Sequence, residues 1–366
     1  MKPLSTLVLL AAALAWAPAP AADYRVETVA EGLEYPWSLA FLPDGGMLVT
    51  ERAGRLRLIG PDGLREAPVE GVPDSFVSGQ AGLFEVALAP DFEDTGTVFL
   101  TQAHGEAGAN HLRVLRGRWD GSALRGVEAV FKTWPAKTGD AHYGGRIAFL
   151  PDGSLVIGFG DGFDYREQAQ VRRSHIGKVL RIAPDGSAPA DNPFKHDPDT
   201  LPEVYSLGHR NVQGVVFDAD SGRLWAHEHG PRGGDELNLI EPGLNYGWPL
   251  LTGGVDYNGA RITPFDDYPG MTAPLLEWTP SIAPSGMALY RGDRFPDWDG
   301  SLLVSALAAK KVVRVPIRDG RPGTPEDLFT ELDVRLRDVR AGPDGAIYLL
   351  TDEADGRVLR VVPATE

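Results

Sequence analysis

The chain has 366 residues and carries 51 Asp and Glu against 35 Lys and Arg, which gives a formal net charge of −16 at pH 7. This acidic balance excludes a protein that binds nucleic acid or an anionic membrane through its overall charge. An anionic ligand would need basic side chains gathered at one place. The chain has no cysteine, which excludes disulfides, and it is long enough to bury a large core without them.

The first 21 residues have the features of a secretory signal peptide. Met1-Lys2 forms a short positive region, residues 7–16 are apolar, and Ala19-Pro20-Ala21 supplies a small-residue cleavage site. The apolar segment is too short to span a bilayer, and no later segment is long enough. We therefore expect a signal peptide over residues 1–21, a mature chain from Ala22 without a transmembrane segment, and a periplasmic or secreted location.

A turn followed by a short β-rich run recurs six times along the chain. The turn contains Asp-Gly or a close variant, which tolerates the positive φ of tight hairpins. The turn glycines are Gly45, Gly96, Gly153, Gly222, Gly300 and Gly345, spaced by 45 to 78 residues. Six such units with nothing helical between them predict an all-β, six-bladed β-propeller in a single domain over residues 22–366. A two-sheet sandwich is the alternative, but it would not repeat its turn and strand six times.

Each unit contains a second apolar run, and in five of the six an arginine lies inside it. Val179-Leu180-Arg181-Ile182 is one of these runs. We interpret them as outer strands whose arginine stems lie along the sheet with the charged ends in water. Residues 24–29 precede the first complete unit, so we expect them to close the ring by pairing with C-terminal strands.

Residues 208–249 combine charged and amide side chains with many glycines and prolines. The polar residues of this segment are Arg210, Asn211, Glu228, His229, Asp235, Glu236 and Asn238. Glycine allows the backbone to approach a ligand closely, and proline stiffens the loop around it. The mixture suits an anionic ligand together with a cation that prefers oxygen ligands. The alternative is a long polar loop on the surface of a β-protein.

Several motifs, in a fixed order, resemble those of a known family over nearly the whole mature chain. They lie at residues 36–45, 79–84, 142–146, 177–182, 191–194, 208–249 and 335–339, and include Pro-Trp-Ser-Leu-Ala-Phe-Leu-Pro-Asp-Gly and His-Tyr-Gly-Gly-Arg. They resemble the soluble quinoprotein sugar dehydrogenases, in particular the aldose sugar dehydrogenases of bacterial periplasms. The resemblance implies a six-bladed propeller that binds pyrroloquinoline quinone (PQQ) and calcium and oxidises sugars at the anomeric carbon.

The resemblance also implies catalytic roles for two residues, His142 and Arg210. His142 matches the general base of the family, and histidine titrates near neutrality, so it is able to take a hydroxyl proton. We expect Asp140, two residues earlier, to orient its imidazole. Arg210 and Asn211 match the pair that contacts the ortho-carbonyl of the quinone, where arginine would stabilise an oxygen that gains negative charge.

A cofactor with three carboxylates requires a local basic cluster in this acidic chain. Arg335 and Arg337 alternate along an extended segment, so both lie on one face. The alternative for these two residues is a charge pair on an outer strand. Gln80 and Tyr257 also match family positions that touch the cofactor.

The metal sites implied by the resemblance use oxygen ligands, which calcium prefers. Main-chain oxygens of Gly230-Pro231 match those that hold the cofactor-bound calcium. Glu236 and the carbonyl of Tyr246 match a second calcium site. Simple contacts within the loop are the alternative for both, and no His or Cys cluster in the sequence suits zinc.

The chain departs from the family pattern in the fifth unit. Many members have a lysine there soon after a Gly-Ala-Leu-like motif, whereas here Ala308-Ala309 separate that position from Lys310 and Lys311. The cofactor contact of that lysine is therefore not carried over, and whether Lys310 or Lys311 replaces it stays open.

Two other functional classes are compatible with a propeller. A calcium-dependent lactone hydrolase would need a carboxylate-rich metal site and would have no use for Arg210-Asn211. A non-catalytic propeller that binds glycan or protein would leave His142 and the arginines without a common ligand. As a dehydrogenase, the chain would act on an aldose sugar, deliver electrons to an unidentified periplasmic acceptor, and exist as a monomer or homodimer.

Overall fold

Six antiparallel β-sheets surround a central channel in the computed structural model, which describes residues 24–364. This arrangement confirms the predicted six-bladed β-propeller and excludes the sandwich. The expected domain of residues 22–366 is thus described except for two residues at each end. The expected signal peptide over residues 1–21 lies outside the described residues.

Each blade consists of strands that run alternately up and down, from the channel outward. The innermost strands of blades one to six are β2 (Pro36–Phe41), β6 (Leu83–Leu88), β10 (Ile147–Phe149), β14 (Val212–Asp218), β18 (Pro284–Leu289) and β23 (Leu336–Ala341). The second strands are β3 (Met47–Glu51), β7 (Thr97–Glu106), β11 (Leu155–Phe159), β15 (Arg223–Glu228), β19 (Ser301–Ala306) and β24 (Ile347–Thr351). The third strands are β4 (Arg55–Gly60), β8 (Ala109–Trp119), β12 (Lys178–Ile182), β16 (Asp235–Leu239), β20 (Lys311–Arg318) and β25 (Gly356–Pro363).

The outermost strands are short in most blades. They are β5 (Gly63–Leu64), β9 (Leu124–Lys132), β13 (Val204–Leu207), β17 (Leu276–Trp278), the two strands β21 (Arg321–Pro322) and β22 (Glu326–Leu328) of blade five, and β1 (Tyr24–Leu33) of blade six. Helix within residues 24–364 is limited to α1 (Phe92–Thr95) and three 3₁₀ turns at Arg166–Gln170, Pro296–Trp298 and Thr330–Leu332. None of these described helices has the length and apolar character needed to cross a bilayer.

The ring closes as expected, because the first described strand belongs to the last blade. β1 pairs antiparallel with β25, with Tyr24 opposite Pro363 and Leu33 opposite Gly356. The N-terminal segment therefore supplies the outermost strand of a blade whose other three strands come from the end of the chain.

The interpretation of the second apolar runs as outer strands is wrong. They are the third strands of their blades, and a fourth strand covers each of them. As a result, Arg57, Arg181 and Arg314 are buried rather than extended into water. Arg181, for example, contacts Asp152 at 2.6 Å and Asp191 at 3.0 Å. Burial of an arginine is tolerated where carboxylates and other acceptors satisfy its five donors.

Strand direction divides the molecule into two faces. The Asp-Gly turns join first to second strands and therefore lie on the lower face. On the opposite, upper face lie residues that follow second strands, such as Arg52, Asp161 and Asp352, and residues that precede first strands, such as Gln80 and Asn211. Because all six blades contribute such residues, side chains far apart in sequence meet around the upper end of the channel.

A buried ion network crosses the channel and joins four blades. Glu85 accepts hydrogen bonds from Arg340 at 2.6 Å, from Ser38 at 2.7 Å and from Arg146 at 3.1 Å. Asp338 lies 2.7 Å from Arg340 and 3.2 Å from Arg146. Burial alone would raise the pKa of Glu85, but Arg340 and Arg146 hold it below its ordinary value. The network thus favours the charged form of Glu85 in the channel and connects blades one, two, three and six.

Candidate active site

A basic cavity of about 250 Å³ opens at the upper end of the channel. Arg52, Arg335 and Arg337 line it, and Asp352 is the acidic residue of the lining. Arg335 and Arg337 both contact the Asp352 carboxylate, at 3.1 Å each. This common partner confirms that the two arginines lie on one face. Three guanidinium groups beside one carboxylate provide the local positive charge that an anionic ligand needs in this acidic protein.

Amide and aromatic side chains complete the basic cavity. Gln80, Asn211 and Gln213 supply hydrogen-bonding groups, while Trp37 and Tyr143 add aromatic surface. The lining therefore combines flat apolar surface with groups that hydrogen-bond an acid or a carbonyl, which fits a planar, acidic ligand.

A second cavity, of about 300 Å³, adjoins the first and is lined by Arg210, Pro231, Trp248, Tyr257 and Phe163, among other residues. The two cavities share a wall, because Asn211 and His229 face the basic cavity while their neighbours in the same segments, Arg210 and Pro231, face this one. We call it the aromatic cavity. Tyr257 is 57% exposed and its ring stacks on Phe163, with 6.1 Å between ring centroids. Tyr257 and Arg210 are thus separated from the other predicted cofactor residues by this wall.

His142 is only 4% exposed and lines neither cavity, but it lies between residues of both. Its backbone N–H donates to the side-chain oxygen of Gln80, which faces the basic cavity, and its ring packs edge-on against Phe163 of the aromatic cavity. Its Nδ1 lies 2.7 Å from a carboxylate oxygen of Asp161. Because an ionised carboxylate only accepts hydrogen bonds, the ring proton sits on Nδ1 and leaves the lone pair of Nε2 available.

The surroundings of His142 favour its neutral form. Burial lowers the pKa of His142 below its ordinary value, and the charges of Arg210 and Lys137 lower it further, while Asp161 opposes them. Within residues 24–364, Nε2 has no hydrogen-bond partner. A buried neutral imidazole with a fixed Nδ1 proton and a free Nε2 is arranged to accept a proton from a ligand.

Backbone geometry explains the His-Tyr-Gly-Gly sequence at this point. His142 has a left-handed φ of 53°, which is uncommon for residues other than glycine and is often found at functional sites. A Cβ atom on Gly144 would lie 2.5 Å from the carbonyl oxygen of Gly158. Glycine at 144 therefore allows the loop to pack onto strand β11, whose continuation carries Asp161.

Arg210 is buried and points across the shared wall. Its guanidinium donates to the carbonyl oxygens of Gly230 at 2.6 Å and His229 at 3.2 Å, and lies 3.4 Å from the Tyr257 hydroxyl. Its backbone N–H donates to Glu228, whose other oxygen lies 2.7 Å from Nδ1 of His209. The arginine is therefore held at both its backbone and its charged end.

Buried oxygen atoms gather beside Glu228 in blade four. Glu228 pairs across the sheet with Glu236, and burial together with the charge of Glu228 raises the pKa of Glu236 well above its ordinary value. Asn238 donates to Glu236 at 3.0 Å, but its own side-chain oxygen is buried without a partner among the described residues. Tyr246 stacks on His209, the partner of Glu228. Two adjacent carboxylates and an unpaired amide oxygen fit a hard cation.

The predicted metal residues fall into two groups. Gly230 and Pro231 adjoin Arg210, and the Gly230 carbonyl already accepts its hydrogen bond. Glu236 and Tyr246 line neither cavity. Within residues 24–364, no three His, Asp or Glu side chains converge as a metal-binding group. Any metal here would therefore draw on main-chain and amide oxygens as well as carboxylates.

Asp140 does not orient His142 as expected. Its carboxylate accepts a hydrogen bond from Ser78 at 2.7 Å, and Asp161 takes the place beside the imidazole. Sequence reasoning also missed Arg52 and Asp352. Asp161, Arg52 and Asp352 share one signal that would have found them, which is their position. Each follows the second strand of its blade on the upper face.

The displaced lysines of blade five pair with carboxylates in this structure. Lys310 contacts Asp333 at 3.0 Å and Lys311 contacts Asp327 at 2.7 Å, and neither faces the basic cavity. The nearby residue that does face it is Leu307.

The sequence profile of the glucose/sorbosone dehydrogenase family matches residues 33–360. The chain belongs to this family. Aldose sugar dehydrogenase YliI of Escherichia coli (strain K12) is 40% identical to this dehydrogenase over 363 residues, covering 98% of this chain and 97% of the relative. The resemblance seen in the motifs is therefore confirmed.

Solved structures of relatives have the same fold as this dehydrogenase. The soluble aldose sugar dehydrogenase of Escherichia coli in its apo-form is 39% identical with a TM-score of 0.89, covering 93% of this chain and 99% of the other. The PQQ-bound aldose sugar dehydrogenase of Streptomyces coelicolor is 34% identical with a TM-score of 0.77, covering 94% and 99%. This dehydrogenase thus matches nearly the full length of both structures.

Proposed function

We propose that this dehydrogenase uses PQQ and calcium to oxidise the C1 hydroxyl of aldose sugars to the lactone. The observation that carries the proposal is the position of the His142–Asp161 pair between a basic cavity and an aromatic one. A proton acceptor at this junction would reach a hydroxyl in one cavity while the cofactor occupies the other.

The basic cavity fits PQQ by charge and shape. Arg52, Arg335 and Arg337 would pair with the cofactor carboxylates, and Gln80 and Asn211 would hydrogen-bond its carbonyl edge. When bound, PQQ supplies the hydride acceptor, and the protein supplies position and electrostatic field.

The aromatic cavity fits a pyranose ring. Stacked Phe163 and Tyr257 offer an apolar face, and the Arg166–Asp256 pair, 3.4 Å apart, adds hydrogen-bonding groups to the lining. His142 would take the C1 hydroxyl proton at Nε2, and Asp161 would stabilise the resulting imidazolium through Nδ1. Arg210 would stabilise negative charge at the shared wall.

Calcium fits two places in blade four. Main-chain oxygens of Gly230 and Pro231 would hold a calcium beside the cofactor, where it adds positive charge. Glu236, with the carbonyl of Tyr246 and the unpaired oxygen of Asn238, would hold a second one that neutralises the buried carboxylates.

The channel favours the dehydrogenase over a lactone hydrolase. A hydrolase of this architecture would use channel carboxylates to hold a metal. Here the channel carboxylates, Glu85 and Asp338, are paired with Arg146 and Arg340. A purely glycan- or protein-binding propeller would not need a buried histidine with a carboxylate partner.

Reconstitution tests the proposed function directly. Protein purified without PQQ should reduce no dye with glucose or other aldoses, and it should gain activity only when PQQ and calcium are both added. Steady-state dye reduction across a sugar panel is the measurement, with a chelator added before reconstitution as the control. Turnover with a nicotinamide cofactor, or indifference to the chelator, would contradict the proposal.

Replacing Arg210 by Ala should weaken PQQ binding and also lower kcat, by about 10²-fold or more. Arg210 lies in the wall that the two cavities share, so the substitution removes positive charge beside the cofactor as well as the charge that stabilises the transition state. Cofactor titration and steady-state kinetics measure the two effects. Arg172→Ala, which removes an exposed arginine paired with Asp197, is the control and should change neither. A variant with normal kcat at saturating PQQ would remove Arg210 from the mechanism.

We also infer that the chain is exported to the periplasm and passes electrons to an acceptor there. The apolar N-terminal segment and the small residues before Ala22 support export. N-terminal sequencing of protein expressed with its own leader should find Ala22 as the first residue. A product that retains Met1 would contradict export by this route.

A further inference from the structure

Trp248 contacts the carboxylate partner of one proposed catalytic residue, His142, and the side chain of the other, Arg210. Its indole N–H donates to Oδ2 of Asp161 at 2.8 Å, while Oδ1 of the same carboxylate lies 2.7 Å from Nδ1 of His142. On its face, the ring lies 5.3 Å from the guanidinium carbon of Arg210. One buried side chain therefore adjoins the carboxylate behind the base and the arginine in the shared wall.

The surrounding chain fixes the Trp248 ring in this position. Its backbone N–H donates to the carbonyl oxygen of Gly208 at 2.9 Å, and its own carbonyl oxygen accepts from Gln170 at 2.7 Å. Gln170 also exchanges hydrogen bonds with Asn245, which lies in the same loop as Trp248. The indole thus belongs to a rigid loop rather than to a freely rotating side chain.

We infer that Trp248 is a positioning residue, which holds Asp161 against His142. This inference deepens the proposed function and rests on it for the catalytic role of His142. The link from Trp248 through Asp161 to His142 is a property of the folded chain and is testable without turnover.

The two oxygens of Asp161 have separate partners. Oδ1 accepts from His142 and from the backbone N–H of Phe163 at 2.8 Å, whereas the indole of Trp248 is the partner of Oδ2. Removing the indole N–H would leave Oδ2 buried with an unmet hydrogen bond and more negative charge on the carboxylate. That charge favours the protonated imidazole, so less of His142 would be available as a base at a given pH.

Other charged groups near His142 stay in place in such a variant. Arg210 and Lys137 disfavour its protonation, and His229 also lies within electrostatic range. Asp140, on the same loop, is held by Ser78. A change confined to the indole N–H therefore acts on His142 through Asp161.

The test compares Trp248→Phe with Trp225→Phe. Trp225 is a matched control, because it is fully buried in the same blade and its indole N–H has no partner among the described residues. NMR titration of the His142 ring in protein without cofactor should show its midpoint about 1 pH unit higher in Trp248→Phe. In the reconstituted enzyme, the midpoint of the fall in kcat at acidic pH should also lie about 1 pH unit higher in Trp248→Phe. Below the wild-type midpoint, kcat of the variant should therefore be about tenfold lower than that of the wild type. Trp225→Phe should leave both midpoints unchanged.

An unchanged His142 midpoint in Trp248→Phe would overturn the inference and reduce Trp248 to a packing residue. Should that variant fail to fold, benzothienylalanine at position 248 keeps the ring shape, replaces N–H by sulfur, and is expected to give the same shift. If PQQ supports no turnover, the proposed function fails, but the NMR titration still decides whether Trp248 acts on His142.

Discussion

Replacing His142 by Ala is expected to lower kcat by about 10²–10⁴-fold while leaving PQQ binding close to normal. The substitution removes the proton acceptor, but Arg335, Arg337 and the other residues of the basic cavity remain. Steady-state kinetics at saturating PQQ, together with cofactor titration, measure the two quantities separately.

The pH dependence of the wild-type enzyme gives a second check on His142. Because its pKa is held below the ordinary value, the neutral base should persist into mildly acidic solution. Activity should then fall as pH drops through that lowered pKa, since an imidazolium accepts no proton.

His175→Ala is the matched control for His142→Ala, because His175 is also buried beside a carboxylate, Glu203, but faces neither cavity. Near-normal kcat in His142→Ala would refute this mechanism.

Replacing Glu85 by Ala should reduce the free energy of unfolding by about 3–5 kcal/mol. The change leaves the buried Arg146 and the half-buried Arg340 in the channel with too little negative charge, and it removes the acceptor that joins blades one, two, three and six. Urea unfolding followed by tryptophan fluorescence measures the loss as a lower transition midpoint.

An exposed ion pair provides the control for Glu85. Arg261 and Asp266 lie 2.6 Å apart, but their side chains are 60% and 94% exposed, so Asp266→Ala should change stability by less than about 1 kcal/mol. An equally small effect of Glu85→Ala would show that the buried network contributes little to holding the ring together.

The fold was predictable because its repeat is local. Asp-Gly turns followed by β-rich runs mark the second strand of every blade, the next apolar run marks the third, and the extra N-terminal strand indicates how the ring closes. Apart from β1, the outermost strands were not predictable, since some, such as β5, have only two residues and leave no pattern. Their presence is the reason that Arg57 and Arg181 are buried.

The candidate site was predictable where its residues lie in distinctive motifs, as His142, Arg210 and Arg335 do. Asp161 escaped prediction because nearness in sequence favoured Asp140, whereas strand β11 brings Asp161 to the imidazole from 19 residues away. Arg52 and Asp352 stand alone in the sequence, and only the ring of strand ends gathers them. Because every blade contributes residues to the site, sequence motifs within single segments predict only part of it.

The closure of the ring also determines where the protein can be attached to another object. β25 runs from the upper face downward and β1 runs upward beside it, so Tyr24 and Pro363 lie side by side on the lower face. At about 3.3 Å per residue, the eight residues of β25 place this edge roughly 25 Å below the level of the cavities. A tag, fusion partner or electrode linker joined near either position would hang beneath the propeller and leave both cavity mouths facing solution.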